Sequence, residues 1–329
     1  MNRHIRFYLL ISILLLPATA SYASTDYSDI VIFGDSFSDI GNSPLLPPPY
    51  SPNRFSNGPV AIELVAQKLG LSAVAAGPNG SGNNFAAGGA KASGGGPIDL
   101  PAQVGLFLTS RNNIIPTDAL YVLFIGGNDL RDARNEFDFN AGKLLVKQAS
   151  ESVERALDAL VAAGARNILL INAPNIGAIP ETRMIAAIAN DPAPIIESRK
   201  LSRIYKRKLR RLAYSSNRSI KHQIIAGSSG EINIIEFDLF NFFRKLLKKA
   251  HRFGFTNTTD ACIDVLADPP EFNAGCGPDK LDDHVFLDAI HPTAKVHAIV
   301  ADAIYDVIIR SRYHRHTYRK WPGRSVSRY

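Results

Sequence analysis

The stretch Asp29-Ile30-Val31-Ile32-Phe33-Gly34-Asp35-Ser36 decides the fold. Its apolar run is too short for an amphipathic helix and has no polar face, so it reads as a strand buried on both sides. Gly34 stops it and a turn follows. Ser36 is thereby left just beyond the strand's carboxyl end.

Working outward, the same pattern recurs. Ala119 to Ile125 is the clearest buried strand and ends at Gly126-Gly127. Asn167 to Asn172 is another, followed by Ala173-Pro174-Asn175, and Ile232 to Phe237 is a fourth. Helical periodicity separates them. Val60, Leu64, Val65 and Leu69 share one face after Asn57-Gly58-Pro59. Residues 143–163 form a helix running from Leu144 through Val153, Leu157 and Leu160. Residues 195–214 form a basic amphipathic helix with Ile196, Leu201, Ile204, Tyr205, Leu209 and Leu212 inward. A helix follows Phe237 to about Arg252, and a last one covers 293–309. The proline-dense Pro44 to Pro52 is excluded from helix and central strand. The Gly-, Asn- and Ser-rich stretch 77–97 reads as loop. Strands alternating with helices predict an α/β fold with a mainly parallel sheet covered on both faces. Ligands gather beyond the carboxyl ends of such strands, which is where Ser36 and Asn128 fall. Asn172 falls there too, with no role assigned.

The chemistry needs a base for the serine, because a free hydroxyl is a weak nucleophile. Asp288-Ala289-Ile290-His291-Pro292 offers an imidazole and, three residues earlier, a carboxylate that can fix its tautomer. Asp-x-x-His alone also fits a helix N-cap carboxylate beside a surface histidine. His284 is a competing base, while Asp282 and Asp283 read as solvated turn residues. Asp35 and Asp39 read as turn and capping groups. The oxyanion of a tetrahedral intermediate needs donors, each worth about 3 kcal/mol. Asn84-Phe85-Ala86-Ala87-Gly88-Gly89-Ala90 and Gly126-Gly127-Asn128-Asp129 both present suitable N–H groups.

Together these segments resemble the four blocks of the GDSL lipase/esterase family, also called SGNH hydrolases. Gly34-Asp35-Ser36 resembles the first block, with Phe37 where the family usually has Leu. Asn84 to Ala90 resembles the second, whose glycine N–H enters the oxyanion hole. Gly89 takes that position, with Gly88 as the alternative. Gly126-x-Asn128-Asp129 resembles the third, and Asp288-x-x-His291-Pro292 the last. The resemblance implies a flavodoxin-like three-layer αβα domain. It implies hydrolysis of carboxylic esters through an acyl-serine, with Ser36, Asp288 and His291 catalytic. Ser36, Gly89 and Asn128 would form the oxyanion hole, with no cofactor and no metal. Arg54-Phe55-Ser56-Asn57-Gly58-Pro59 is similar to a segment of secreted bacterial lipolytic members. Those members include phospholipases A, lysophospholipases and glycerophospholipid acyltransferases, so a lipid or other ester is the expected substrate. A carbohydrate acetyl esterase of the same fold is the alternative, and a non-catalytic binding module the last.

Charge and cysteines set the surroundings. Arg3 and Arg6, the apolar run Phe7 to Leu16 and the small residues before Ser24 form a signal peptide over residues 1–23. Export to a secreted or periplasmic location follows, with the hydrolase domain over 24–309. The net charge is +7. Without the leader's two arginines and the seven Arg and Lys residues of 310–329, the body is close to neutral. A basic tail of this kind is expected to be disordered. It suits peripheral contact with an anionic membrane, at about 1 kcal/mol per basic residue. No nucleic-acid partner is expected of an exported chain. Cys262 and Cys276 are the only cysteines. In an oxidising compartment they read as a disulfide, worth about 3 kcal/mol for a loop of this size.

Overall fold

The computed structural model describes residues 27–44, 46–136, 138–225, 232–267 and 269–319. The leader lies outside the described residues. Four strands, β1 (Ile30–Gly34), β2 (Leu120–Phe124), β3 (Asn167–Ile171) and β4 (Asn233–Phe237), form one sheet in the order β1-β2-β3-β4. All three pairings are parallel and in unbroken register, from Ile30 opposite Leu120 to Ile171 opposite Phe237. Apolar side chains on both faces drive this arrangement: every residue of β1 and β2 is buried. Parallel strands need crossovers, and helices supply them.

The helices fall into two sets that leave the sheet between them. α1 (Ala61–Lys68) packs on α8 (Ala294–Arg319). On the other side α2 (Leu100–Ser110), α3 (Gly127–Asn135), α4 (Phe139–Ala163) and α6 (Ala193–Ile225) pack on one another. The result is the expected three-layer α/β architecture. α5 (Pro180–Ala189) and α7 (Leu239–Lys248) follow β3 and β4. Small strands fill the C-terminal region. β5 (Asn257–Ala261) pairs with β8 (His284–Phe286), and β6 (Ile263–Asp264) with β7 (Glu271–Phe272).

Several expectations need correction. The 77–97 stretch is not all loop. Ile32 N donates to Asn83 O and Phe85 N to Ile32 O, at 2.8 and 2.7 Å, so residues 83–87 run along the free edge of β1 as a rudimentary fifth strand. With Asn, Asn, Ala and Ala around it, Phe85 alone makes no hydrophobic pattern. α2, α3 and α5 stand where no element was expected. α3 is short and buries only Asp129, Leu130 and Ala133, too few for a visible period. Met184 and Ile188 of α5 face outward and blur its period. Leu144 and Ile196, expected on the apolar faces, are exposed: Leu144 lies off the face of α4 that buries Gly142, Val146, Ala149 and Val153, and Ile196 stands in the first turn of α6. α6 extends past 214 to Ile225. α8 runs on to Arg319, ten residues beyond the domain end expected at 309. Residues 320–329 lie outside the described residues. Among the described residues no helix is long and apolar enough to cross a membrane.

Candidate active site

Ser36 sits where β1 ends. Asp35 O accepts from the N–H groups of Ser38 and Asp39, at 3.0 and 3.1 Å, making one helical turn of residues 35–39. Asp35 Oδ1 accepts from Phe37 N at 3.1 Å. Ser36 N–H therefore faces the open start of a turn and has no acceptor among the described residues. Gln103 of α2 fixes the strand end: its Oε1 takes Gly34 N and its Nε2 gives to Gly34 O, at 2.9 and 2.8 Å. Nothing in the local sequence around Gln103 announces this role.

Asp288 and His291 come from a tight reversal after β8. Leu287 N donates to His291 O and Thr293 N to Val285 O, at 2.8 and 3.0 Å. Asp288 Oδ1 accepts from Ile290 N and His291 N, at 2.7 and 2.6 Å. The carboxylate thus holds its own loop and does not cap a helix. Asn57 caps α8 instead, through Oδ1 and Ala294 N at 2.8 Å.

The two ends of the chain meet. His291 Nε2 lies 2.8 Å from Ser36 Oγ, and His291 Nδ1 lies 2.7 Å from Asp288 Oδ2. Burial opposes ionisation of Asp288, but His291, the Tyr50 hydroxyl and the backbone N–H of His291 together hold its carboxyl below the usual range. An ionised carboxylate only accepts, so the imidazole proton belongs on Nδ1 and Nε2 is left to accept from the serine hydroxyl. Ser36, Asp288 and His291 are 6, 3 and 7% exposed, dry enough to strengthen each charge interaction. Phe55 and Phe37 wall the imidazole, with ring centroids at 5.1 and 5.9 Å. His284 is elsewhere, against Lys280 O at 3.0 Å and Cys276 Sγ at 3.7 Å.

Of the oxyanion donors expected from the sequence, Ser36 and Asn128 line the same cleft. Asn128, in the first turn of α3, lines one pocket with Asp35, Ser36 and Arg131. Its Nδ2 gives one proton to Ala90 O at 2.9 Å, leaving a second free for a ligand. That bond also sets Asn128 beside the Gly88-Gly89 turn. Gly88 N–H is spent on Asp39 Oδ2 and Ser43 Oγ, at 2.9 and 2.7 Å. Gly89 N–H has no acceptor among the described residues, and its φ of +81° is one glycine adopts without strain. Asp129 anchors the far side of this loop through Ala92 N and Ser93 N. Gly126 starts α3 at φ +117°, and a Cβ there would strike the Tyr205 ring of α6.

Three groups that the sequence pattern left unmarked complete the site. Arg131 Nη1 donates to Asn128 Oδ1 at 3.1 Å, which forces the amide nitrogen toward the cleft. Glu181 binds Arg131 and Arg134, and its backbone N–H donates to Ala289 O at 2.9 Å. Burial opposes the charge on Glu181, but the two arginines outweigh it and lower its pKa. Glu181 so ties the Asn128 helix to the His291 loop. Tyr50, from the proline-dense segment, donates to Asp288 Oδ2. Burial raises Asp35 to about 6 despite its N–H partners.

Cys262 and Cys276 are disulfide-bonded, with Cα atoms 5.4 Å apart. Their sulfurs and His284 cluster within 4.8 Å, but both sulfurs are committed to the bond.

The model of GDSL-like lipases and acylhydrolases matches residues 30–304, most of the chain. The chain belongs to this family. As a GDSL-family hydrolase it acts on ester bonds. It is 26% identical to GDSL esterase/lipase At2g40250 of Arabidopsis thaliana, over 91% of this chain and 96% of the plant protein. It is 27% identical to phosphatidylcholine-sterol acyltransferase of Aeromonas hydrophila, over 78% of this chain and 71% of that one. It is 26% identical to thermolabile hemolysin of Vibrio parahaemolyticus, over 84% of this chain but only 63% of the hemolysin's length. Among solved structures, a catalytic mutant of the acetylxylan esterase Axe2 from Geobacillus stearothermophilus aligns with TM-score 0.46 and 15% identity, over 88% of this GDSL hydrolase and 96% of Axe2.

Proposed function

We propose that this protein is an exported hydrolase of lipid carboxylic esters that works through an acyl-serine. Ser36 Oγ attacks the ester carbonyl while His291 Nε2 takes its proton. Asp288 holds the imidazole and stabilises the imidazolium. Ser36 N–H, Gly89 N–H and the free Asn128 Nδ2 proton receive the oxyanion. His291 then protonates the leaving alcohol and activates the water that frees the acid.

The lipid reading rests on one observation. A narrow apolar crevice adjoins the serine cleft, lined by Phe124, Leu239, Phe243, Phe286, Val296 and Val300 among others. It shares Phe37, Pro174, Ile179 and Ile290 with the cleft that holds Ser36, Asn128 and Arg131. The crevice as it stands admits little more than a water molecule, so an acyl chain on Ser36 would have to part these apolar walls to lie between them, gaining roughly 0.8 kcal/mol per methylene it buries. Export is supported by the leader and the disulfide. Contact of residues 310–329 with anionic lipid is supported by their charge.

The test is product analysis. Mixed phospholipid, lysophospholipid and sterol are incubated with the protein, and the products are identified by mass. Free fatty acid should appear, and Ser36→Ala should abolish it while leaving the melting temperature unchanged. Sterol ester would mark transfer to an alcohol. Release of acetate alone, from an acetylated polysaccharide run beside the lipids, would overturn the lipid reading. Undiminished turnover by Ser36→Ala would overturn the mechanism.

A further inference from the structure

Asp288 has four close hydrogen-bond donors, and one of them is remote in sequence. Oδ1 takes Ile290 N–H and His291 N–H from its own loop. Oδ2 takes His291 Nδ1–H at 2.7 Å and the Tyr50 hydroxyl at 2.5 Å. These fill the sites a carboxylate offers, so it cannot rotate about its carbon–carbon bond without breaking one. We propose that Tyr50 is a positioning residue for this reaction, clamping the oxygen of Asp288 that orients His291 and drawing off part of its negative charge. The inference rests on the catalytic reading given above.

The segment that carries Tyr50 is itself held. Tyr50 N donates to Pro47 O at 3.3 Å, and Ser51 N to Ser56 O at 2.7 Å. Arg54 Nη1 grips Pro52 O at 2.8 Å, while its Nε pairs with Glu63 of α1 at 2.8 Å. The hydroxyl is thus delivered by a strap anchored on a helix, across 238 positions of sequence from its acceptor. Burial, then the Asp288 charge, push the Tyr50 hydroxyl far above its ordinary range, so it stays a donor at any working pH. Of the other charged or titratable groups nearby, Arg131 on α3 interacts with Asp288, while Asp35 at the end of β1 and His297 on α8 interact with His291. None of them bonds to Tyr50 among the described residues.

Tyr50→Phe removes one oxygen and keeps the ring. Without the hydroxyl, the charge on Oδ2 falls more fully on His291, and the imidazolium is favoured. The acid limb of the kcat/KM profile should move to higher pH by roughly half a unit. The plateau of kcat should fall about 10-fold, as for a lost hydrogen bond to a charged group. The far-downfield proton resonance of His291 Nδ1–H should shift, a readout that needs no substrate. In an Asp288→Asn background the same change should cost less than about 2-fold, since its target has gone.

An unmoved acid limb and an unmoved resonance, with the melting temperature intact, would overturn the proposal. So would an equal loss with and without Asp288. Should Tyr50→Phe lower the melting temperature, the resonance, recorded well below it, still decides. If Ser36→Ala is inactive and Tyr50→Phe behaves as wild type, only the Tyr50 inference fails. If Ser36→Ala remains active, the catalytic reading fails first.

Discussion

The two halves of the catalytic line are built differently. Ser36 is placed mainly by its own segment, a buried strand, a glycine stop and one turn of backbone, with Gln103 of α2 as a single distant clamp on the strand end. His291 is placed by distant partners. Its loop depends on β8, on Asn57 at the start of α8, on Glu181 behind Ala289 and on Tyr50 over Asp288. A strand-end turn holds a nucleophile with little help. A base on a loop needs supports from several segments to stay within a few tenths of an ångström. Damage far away in sequence should therefore reach the base side at several points and the nucleophile side chiefly through Gln103.

The largest effect expected is from Asp288→Asn. It keeps the shape of the loop but removes the charge that fixes the imidazole tautomer. A fall in kcat of about 10⁴-fold is expected with little change in KM, measured on a short-chain p-nitrophenyl ester. A loss below 10-fold would mean the base side is less dependent on this carboxylate than its geometry implies.

Next comes the oxyanion site, which both halves share. Asn128→Ala should lower kcat by about 10²- to 10³-fold. Arg131→Met leaves the Asn128 amide in place but unoriented, and its loss should be smaller, nearer 10-fold. Equal losses would show that Arg131 acts by more than orienting Asn128, on the substrate or through Glu181 and the His291 loop.

The smallest effect expected contrasts the halves by pH. Burial holds His297, on the base side, down at about 3, with His291 adding to the shift. Its Nδ1 accepts from Ala61 N at 3.1 Å. The unfolded chain binds that proton from about pH 6.5 downward and the folded chain does not. Stability is therefore lost as pH falls from about 6.5 toward 3. Asp35, on the nucleophile side, is raised to about 6 mainly by burial. It keeps its proton longer when folded, so its contribution declines as pH rises from about 4 to 6. His297→Gln keeps an acceptor for Ala61 N–H but cannot titrate. Urea unfolding at pH 7.5 and pH 4.5 should show a smaller acid loss in the variant, by about 2–3 kcal/mol. An unchanged difference would remove His297 from the account.

The same contrast explains what the sequence made legible. Three of the four sheet strands are short apolar runs closed by Gly or Pro signals, and the fourth is an apolar run closed by Asp238, so their place in the sheet is written in composition. Ser36, Asn128, Asp288 and His291 lie in compact strings whose spacing carries chemistry. Residues 83–87 add to the sheet through backbone bonds and the Phe85 ring on Phe33, and with Asn and Ala around that one Phe they give no strand signal. Gln103, Arg131, Glu181 and Tyr50 act across 69, 3, 108 and 238 positions, from elements whose own patterns say nothing of the site. The resemblance favours Gly89 over Gly88, and the bonds that occupy the Gly88 N–H, to Asp39 and Ser43, are not legible in the sequence.

The central claim is that the hydroxyl of Ser36, activated by an imidazole 255 positions away, is the nucleophile. Labelling with a fluorophosphonate, followed by peptide mass analysis of the adduct, tests it most directly. The account predicts one adduct, on Ser36, lost in His291→Ala and in protein unfolded before labelling. An adduct on another serine of the active protein, with Ser36 unmodified, would contradict it.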